Sequence, residues 1–248
     1  MNVTAHQPPR HAVLTGVSSG IGWAIAQALL AQGWQVTGLS RSAPPASHAS
    51  LRWRPVNLED SAQLAAVCAE LGAELGAELG AEAGPGQGGV DALVHAAGFM
   101  RTAPLGSLSV DDATAMWRVH VLAAQVLADG LLPQLRDGAR IVLVGSRVAQ
   151  GAAGRSAYAA TKSALLGMVR SWAAELAPRG ITANVIAPGA TDTPFLNQPG
   201  RSSSPPRVPP IGRLVQAEEV AGLAAFLLGP WGGAITGQQI VMCGGASL

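Results

Sequence analysis

The sequence predicts an α/β fold, a doubly wound parallel sheet with helices on both faces, and three observations carry that prediction. Short apolar runs alternate with longer helical stretches along the whole chain. The runs are apolar at consecutive residues, as in Ile141-Val142-Leu143-Val144, and a glycine-rich turn follows the first of them directly. Strands buried on both faces read as continuous apolar runs, and alternation with helices favours right-handed crossovers between parallel strands.

Taken in order, the first strand is expected over residues 11–15 (His-Ala-Val-Leu-Thr), and the glycine turn opens a helix over 20–32. A second strand over 35–39 and a third over 51–56 precede a helix from 60 to about 82. The fourth strand, 90–95, leads to a helix over 111–135, and the fifth strand, 140–145, to a helix over 156–176. The sixth strand is read over 181–187, the last helix over 217–228 and the seventh strand over 239–242.

Two segments depart from this rhythm. Between Glu70 and Gly84 the unit Leu-Gly-Ala-Glu recurs, setting Glu70, Glu74, Glu78 and Glu82 on one helical stripe. Like charges repel at that spacing, and each interior glycine costs about 1 kcal/mol relative to alanine. The expectation is a solvated, fraying extension into the 84–89 loop, with an acidic docking face as the functional alternative. The stretch 194–213 holds six prolines; it reads as a flap over a site or a surface linker.

Length and charge bound the function. The 248 residues suffice for one domain, 1–248, with a sizeable core, and 16 basic against 15 acidic side chains leave a net charge of +1. Nothing in that balance attracts nucleic acid or an anionic membrane. Cys68 and Cys243 stand far apart, and no Cys/His pair has zinc-site spacing, so free thiols and no metal are expected. Residues 1–10 lack the apolar core of a secretory signal and no long apolar run could span a bilayer, which makes the cytoplasm the expected location.

The chemistry begins at the turn Thr15-Gly16-Val17-Ser18-Ser19-Gly20-Ile21-Gly22. Its glycines permit a tight bend and bring backbone amides to a pyrophosphate at a helix N-terminus, where N–H groups and the helix dipole favour an anion. The second strand ends Leu39-Ser40-Arg41, with no carboxylate to hold an adenosine ribose 2′-hydroxyl. A serine followed by a cation suits a 2′-phosphate, so NADP(H) is expected ahead of NAD(H).

The single tyrosine of the chain, Tyr158, stands four residues before its single lysine, Lys162. One helical turn apart, the two side chains share a face. A neighbouring cation lowers the pKa of an acid by about 1–3 pH units, bringing a phenol toward proton transfer near neutral pH. Ser146, just after the fifth strand, can donate to a substrate oxygen.

These residues, together with Asn184-Val185-Ile186-Ala187-Pro188-Gly189, Gly212-Arg213-Leu214, Glu218-Glu219-Val220-Ala221 and Thr236-Gly237-Gln238, resemble the short-chain dehydrogenase/reductase family over nearly the whole chain. The resemblance implies a Rossmann-type seven-stranded sheet and hydride transfer between NAD(P) and a carbonyl or secondary alcohol. Within the family it points toward 3-oxoacyl-[acyl-carrier-protein] reductases. It implies catalytic roles for Ser146, Tyr158 and Lys162, the last also holding the nicotinamide ribose. Cofactor contacts are implied for Gly16, Ser18, Ser19, Gly20, Ile21, Gly22, Arg41, Asn57, Leu58, Ala96, Gly98, Pro188, Gly189, Thr191 and Thr193. The family's Asn-Asn-Ala-Gly is His95-Ala96-Ala97-Gly98 here, its adenine-side acid is Asn57, and its usual helix asparagine falls on His120. His120 is thereby implied as a fourth catalytic residue in a modified but working proton relay. A homodimer or homotetramer is implied by analogy.

Phe99, Met100, Val148, Phe195 and Leu196 are expected to line an apolar substrate pocket. Arg147 and Arg155 could recognise an anion but are expected to lie in solvent. A catalytically silent NADP(H)-binding sensor or scaffold, or an epimerase or dehydratase, are the competing readings. The intact Ser146, Tyr158 and Lys162 argue against the first, and the short chain against the others.

Overall fold

The computed structural model describes residues 9–79, 89–197 and 207–248. Its strands are β1 (His11–Thr15), β2 (Gln35–Ser40), β3 (Leu51–Pro55), β4 (Val90–His95), β5 (Leu135–Val144), β6 (Thr182–Pro188), β7 (Thr191–Asp192), β8 (Val215–Gln216) and β9 (Gln239–Met242). Its helices are α1 (Gly20–Ala31), α2 (Ser61–Leu79), α3 (Val110–Trp117), α4 (Ala123–Leu131), α5 (Ser156–Leu176) and α6 (Ala217–Leu228). Seven strands form one parallel sheet in the order β3-β2-β1-β4-β5-β6-β9, while β7 and β8 make a separate short pair. The chain winds outward from β1 to β3, then returns to the other side of β1 to begin β4. That reversal opens a crevice at the carboxyl ends of β1 and β4, where open α/β sheets take their ligands.

The continuous apolar runs are explained by two cores. Val13, Leu93, Ile141 and Leu143 pack on one face against α2, α4 and α5. Their strand neighbours Leu14, Ala92, Val94, Val142 and Val144 pack on the other face against α1 and α6. Alternate side chains of each strand thus enter opposite layers, and both layers are buried.

Three elements differ from the sequence reading. The helix expected over 111–135 is broken into α3, a π-helical turn at Arg118–Leu122, α4, and a short 3₁₀ turn at Leu132–Gln134 that contains Pro133. Proline removes a donor and ends α4 there, so β5 starts at Leu135 instead of residue 140. Two steps along β4 (Val90 to Ala92) then correspond to five along β5 (Leu135 to Arg140), and Gly138 takes φ +77° inside that bulge.

The third difference is the repeat. Helix α2 runs through it as far as Leu79, because Leu71 and Leu75 extend the buried stripe of Leu64, Val67 and Cys68. Glu74 lies between Arg52 (3.1 Å) and Arg54, and Arg54 also reaches Glu70 at 4.0 Å. Two arginines of β3 therefore offset the charge of the stripe, which is no free acidic face at Glu70 and Glu74. The side chains of Glu78 and Glu82 and the loop beyond lie outside the described residues, as does the 198–206 part of the proline-rich stretch. No helix among the described residues is long and apolar enough to cross a membrane.

Candidate active site

A cleft of about 930 Å³ lies across the carboxyl ends of the central strands. Its floor on one side is the glycine turn between β1 and α1. Gly16 and Gly20 hold φ +79° and +55°, conformations that favour glycine, and a Cβ on Gly16 would lie 2.9 Å from the Ala97 nitrogen. A Cβ on Gly22 would collide with the Gly16 carbonyl oxygen. Ser19 caps α1 with extended backbone and no side-chain hydrogen bond, leaving first-turn N–H groups directed at the cleft. Bare amides at a helix N-terminus, on a turn with no room for side chains, fit a dinucleotide pyrophosphate.

Every residue expected to contact the cofactor lines this cleft, from Gly16, Ser18, Ser19, Gly20, Ile21 and Gly22 through Arg41, Asn57, Leu58, Ala96 and Gly98 to Pro188, Gly189, Thr191 and Thr193. Details differ at the adenosine end. The Ser40 hydroxyl donates to the Ser42 carbonyl (2.7 Å) and accepts from the Trp53 indole (3.1 Å), so its one proton is already used. The exposed Arg41 lines the cleft here, beside Ser42, which the sequence reading did not single out. The Asn57 side-chain oxygen accepts from the Glu59 N–H at 3.2 Å, forming a local turn at the site where it was expected to meet adenine.

Ser146, Tyr158 and Lys162 also line the cleft and are all buried. Ser146 follows β5 and accepts from the Val148 N–H at 3.1 Å, a bond that occupies a lone pair and spares the hydroxyl proton. Lys162 donates to the Val144 carbonyl at 2.9 Å, fixing its ammonium to the end of the same strand. A Cβ on Gly98 would lie 3.0 Å from His120 Nε2 and 3.4 Å from the Lys162 nitrogen, so a larger residue there would crowd the histidine first. Burial lowers the Lys162 pKa to about 7.

His120 is the exception. It is fully buried and does not line the cleft, and both of its ring nitrogens are engaged. The Phe99 N–H donates to Nε2 at 3.1 Å, which places the proton on Nδ1; Nδ1–H donates to Thr161 Oγ1 at 2.8 Å, and that hydroxyl donates to the Tyr158 carbonyl at 2.8 Å. His120 therefore braces the loop after β4 against the helix that carries Tyr158. Its ring stands edge-on to the Tyr158 ring with centroids 5.6 Å apart.

His95 makes the complementary brace. Its Nε2–H donates to the Val119 carbonyl at 2.9 Å, and Nδ1 accepts from the Thr15 hydroxyl at 3.0 Å. The same hydroxyl accepts from the Ala96 and Ala97 N–H groups, both at 3.1 Å. Together the imidazoles tie β1, the end of β4, the π-helical turn and α5 into one hydrogen-bonded block. Burial, reinforced by the Lys162 charge, lowers His95 to about 3 and holds His120 well below the usual imidazole range. Both rings are neutral.

The substrate end is lined by Phe99, Met100, Val148, Phe195 and Leu196, as expected. Arg147 and Arg155 line it too, where solvent exposure was expected. Among the described residues no cluster of His, Cys, Asp or Glu could hold a metal ion.

Comparisons agree with this geometry. A family model described as enoyl-(acyl carrier protein) reductase matches residues 16–247. The chain is 33% identical over 246 residues to the 3-oxoacyl-[acyl-carrier-protein] reductase FabG of Salmonella typhimurium, covering 94% of this chain and 96% of that one. It is 32% identical over 250 residues to the 2,3-dihydro-2,3-dihydroxybenzoate dehydrogenase of Escherichia coli K12, covering 95% and 96%. A crystal structure of a short-chain dehydrogenase from Burkholderia cenocepacia J2315 in complex with NADP superposes with a TM-score of 0.81 at 32% identity, over 96% of this chain and 98% of that one. Sequence, sheet order and site geometry converge: the chain belongs to the short-chain dehydrogenase/reductase family of NAD(P)-dependent oxidoreductases.

Proposed function

We propose that the protein is an NADP(H)-dependent oxidoreductase that interconverts a small ketone and its secondary alcohol. One observation carries the reading: Tyr158, Lys162 and Ser146 converge on a cleft whose opposite end is a glycine-cradled helix N-terminus. NADP(H), when bound, supplies or accepts the hydride; for each turnover a ketone, NADPH and a proton become an alcohol and NADP⁺.

The chain's own groups do the rest. Ser146 donates a hydrogen bond to the substrate oxygen and stabilises charge developing there. Tyr158 gives that oxygen its proton during reduction and takes it back during oxidation. The Lys162 ammonium, 5.9 Å from the Tyr158 ring centroid, stabilises the charge left on the phenol oxygen. His120 is a positioning residue that holds the Tyr158 turn and the Phe99 loop in register.

Arg41, with no acidic side chain at residue 40, supports NADP(H) over NAD(H). Binding of NADP by the Burkholderia cenocepacia relative supports the same choice. The test is NADPH oxidation against a ketone panel, with Tyr158→Phe alongside. Loss of about 10²-fold or more in kcat, with NADPH binding retained, is expected for a missing general acid. A Tyr158→Phe variant that turns over at the wild-type rate refutes the assignment.

A further inference from the structure

The adenosine end of the cleft stands on a strand end that the neighbouring strand holds in place. Ser40 closes β2, is buried, and hands the chain to the exposed Arg41 and Ser42; all three line the cavity. The Trp53 indole N–H donates to the Ser40 hydroxyl oxygen at 3.1 Å and to the Ser40 carbonyl at 3.3 Å. The same hydroxyl donates to the Ser42 carbonyl at 2.7 Å, and the Val56 N–H donates to the Ser40 carbonyl at 3.1 Å. The bond from Ser40 to Ser42 spans Arg41, whose backbone is thereby closed into a hydrogen-bonded ring.

Trp53 does not line the cleft. It pairs in register with Gly38, two residues before Ser40, and its ring packs on the layer shared by α1 and α6. That packing fixes where the indole N–H points. A serine side chain chooses among staggered rotamers, and its hydroxyl has a single proton to give. Accepting from the indole while donating to Ser42 selects one rotamer and one proton direction, and with them the conformation around Arg41. Binding a phosphate to an exposed arginine costs the ordering of the segment that carries it, and a segment already ordered lowers that cost.

We propose that Trp53 is a positioning residue for cofactor choice: acting through Ser40 and Ser42, it presets the Arg41 segment for the 2′-phosphate of NADP(H). This assignment rests on the NADP(H) reading of the same cleft. It requires the effect of Trp53 to fall on the cofactor that carries the 2′-phosphate and to spare the one that lacks it.

The test is calorimetric titration of NADPH and of NADH into wild type, Trp53→Phe, Ser40→Ala, Arg41→Ala and the Trp53→Phe/Arg41→Ala double variant. Phenylalanine keeps an aromatic ring and loses the N–H. Ser40→Ala removes the shared hydroxyl and leaves the tryptophan, so it carries the test if Trp53→Phe does not fold. Each of these two changes should raise the Kd for NADPH about 3- to 10-fold, as for one lost neutral hydrogen bond, and that for NADH less than about twofold. In the Arg41→Ala background Trp53→Phe should add less than about twofold, because the group it places is gone. A general loss of packing would produce neither the selectivity nor the lost additivity. Equal losses for both cofactors, unchanged NADPH affinity in both variants, or full additivity with Arg41→Ala overturns the proposal. A selective NADPH loss in Arg41→Ala alone sinks the role of Trp53 and leaves the NADP(H) reading standing. Wild-type protein that binds NADH as tightly as NADPH, with Arg41→Ala affecting neither, sinks the NADP(H) reading and the role of Trp53 with it.

Discussion

Lowering the pH from 7 to 5 protonates imidazoles in the unfolded chain but leaves His95 and His120 neutral in the fold. His95 has its pKa lowered to about 3 and His120 lies well below the usual range, both chiefly through burial. The folded state therefore binds fewer protons than the unfolded one, and stability falls as pH falls below about 6.5, continuing toward the folded-state values. Integrated from pH 7 to 5, His95 alone removes about 2 kcal/mol, and His120 adds a loss of the same sign. Against a total of about 5–15 kcal/mol that is a large fraction.

Carboxylates interfere little in this window: Glu219, held down to about 2 by Arg213, loses its contribution only below the unfolded glutamate value near 4.3. Lys162, at about 7, acts mainly on the alkaline side, where stability rises with pH as its buried ammonium deprotonates while the unfolded lysine stays charged. Urea unfolding of the cofactor-free protein at pH 7, 6 and 5, followed by circular dichroism, measures the slope. His120→Gln keeps an acceptor for Phe99 and a donor for Thr161 but cannot titrate, so its pH dependence should be shallower. Equal midpoints at pH 7 and 5, or an unchanged slope in His120→Gln, would refute the burial argument.

Other expectations concern the ends of the molecule's two halves. Arg41→Ala should raise the Kd for NADPH about 10- to 100-fold while changing that for NADH much less, as measured by quenching or calorimetry; equal losses for both would remove the 2′-phosphate role. Gly76 sits in α2 with nothing within 4 Å of where a Cβ would be. Gly76→Ala should therefore stabilise the protein by about 0.5–1 kcal/mol, raising Tm by about 1–4 °C in calorimetry. A fall in Tm would mean that the repeat is not held as a helix.

The sheet was legible because its strands are apolar at consecutive residues, and each of the seven expected runs became a strand of the parallel sheet. The candidate cleft was legible because the residues that line it form local motifs: a turn of glycines, a strand-end serine, and a tyrosine and lysine one turn apart. What stayed hidden depends on elements distant in sequence. The sequence around His120 does not announce that the loop after β4 and α5 engage both of its ring nitrogens. Nothing local to Thr15, His95, Val119 or Thr161 announces that they share one hydrogen-bond network. Arginine is ordinarily exposed, so only the packing of the turn after β5 against the start of α5 reveals that Arg147 and Arg155 line the cleft. The glycine-rich repeat misled in the opposite direction, since propensity counts its glycines but not the burial of Leu71 and Leu75 or the arginines of β3.

The central claim is hydride delivery within this cleft, and isotope transfer tests it most directly. With NADPH carrying deuterium at the transferable position of the nicotinamide, the alcohol formed from a reduced ketone should hold one deuterium at the carbinol carbon by mass spectrometry. The Tyr158→Phe variant should bind the labelled cofactor and release no labelled alcohol. If the wild-type protein binds NADPH tightly yet transfers no deuterium to any carbonyl of a broad panel that includes oxo acids, the enzyme reading fails and a cofactor-binding sensor takes its place.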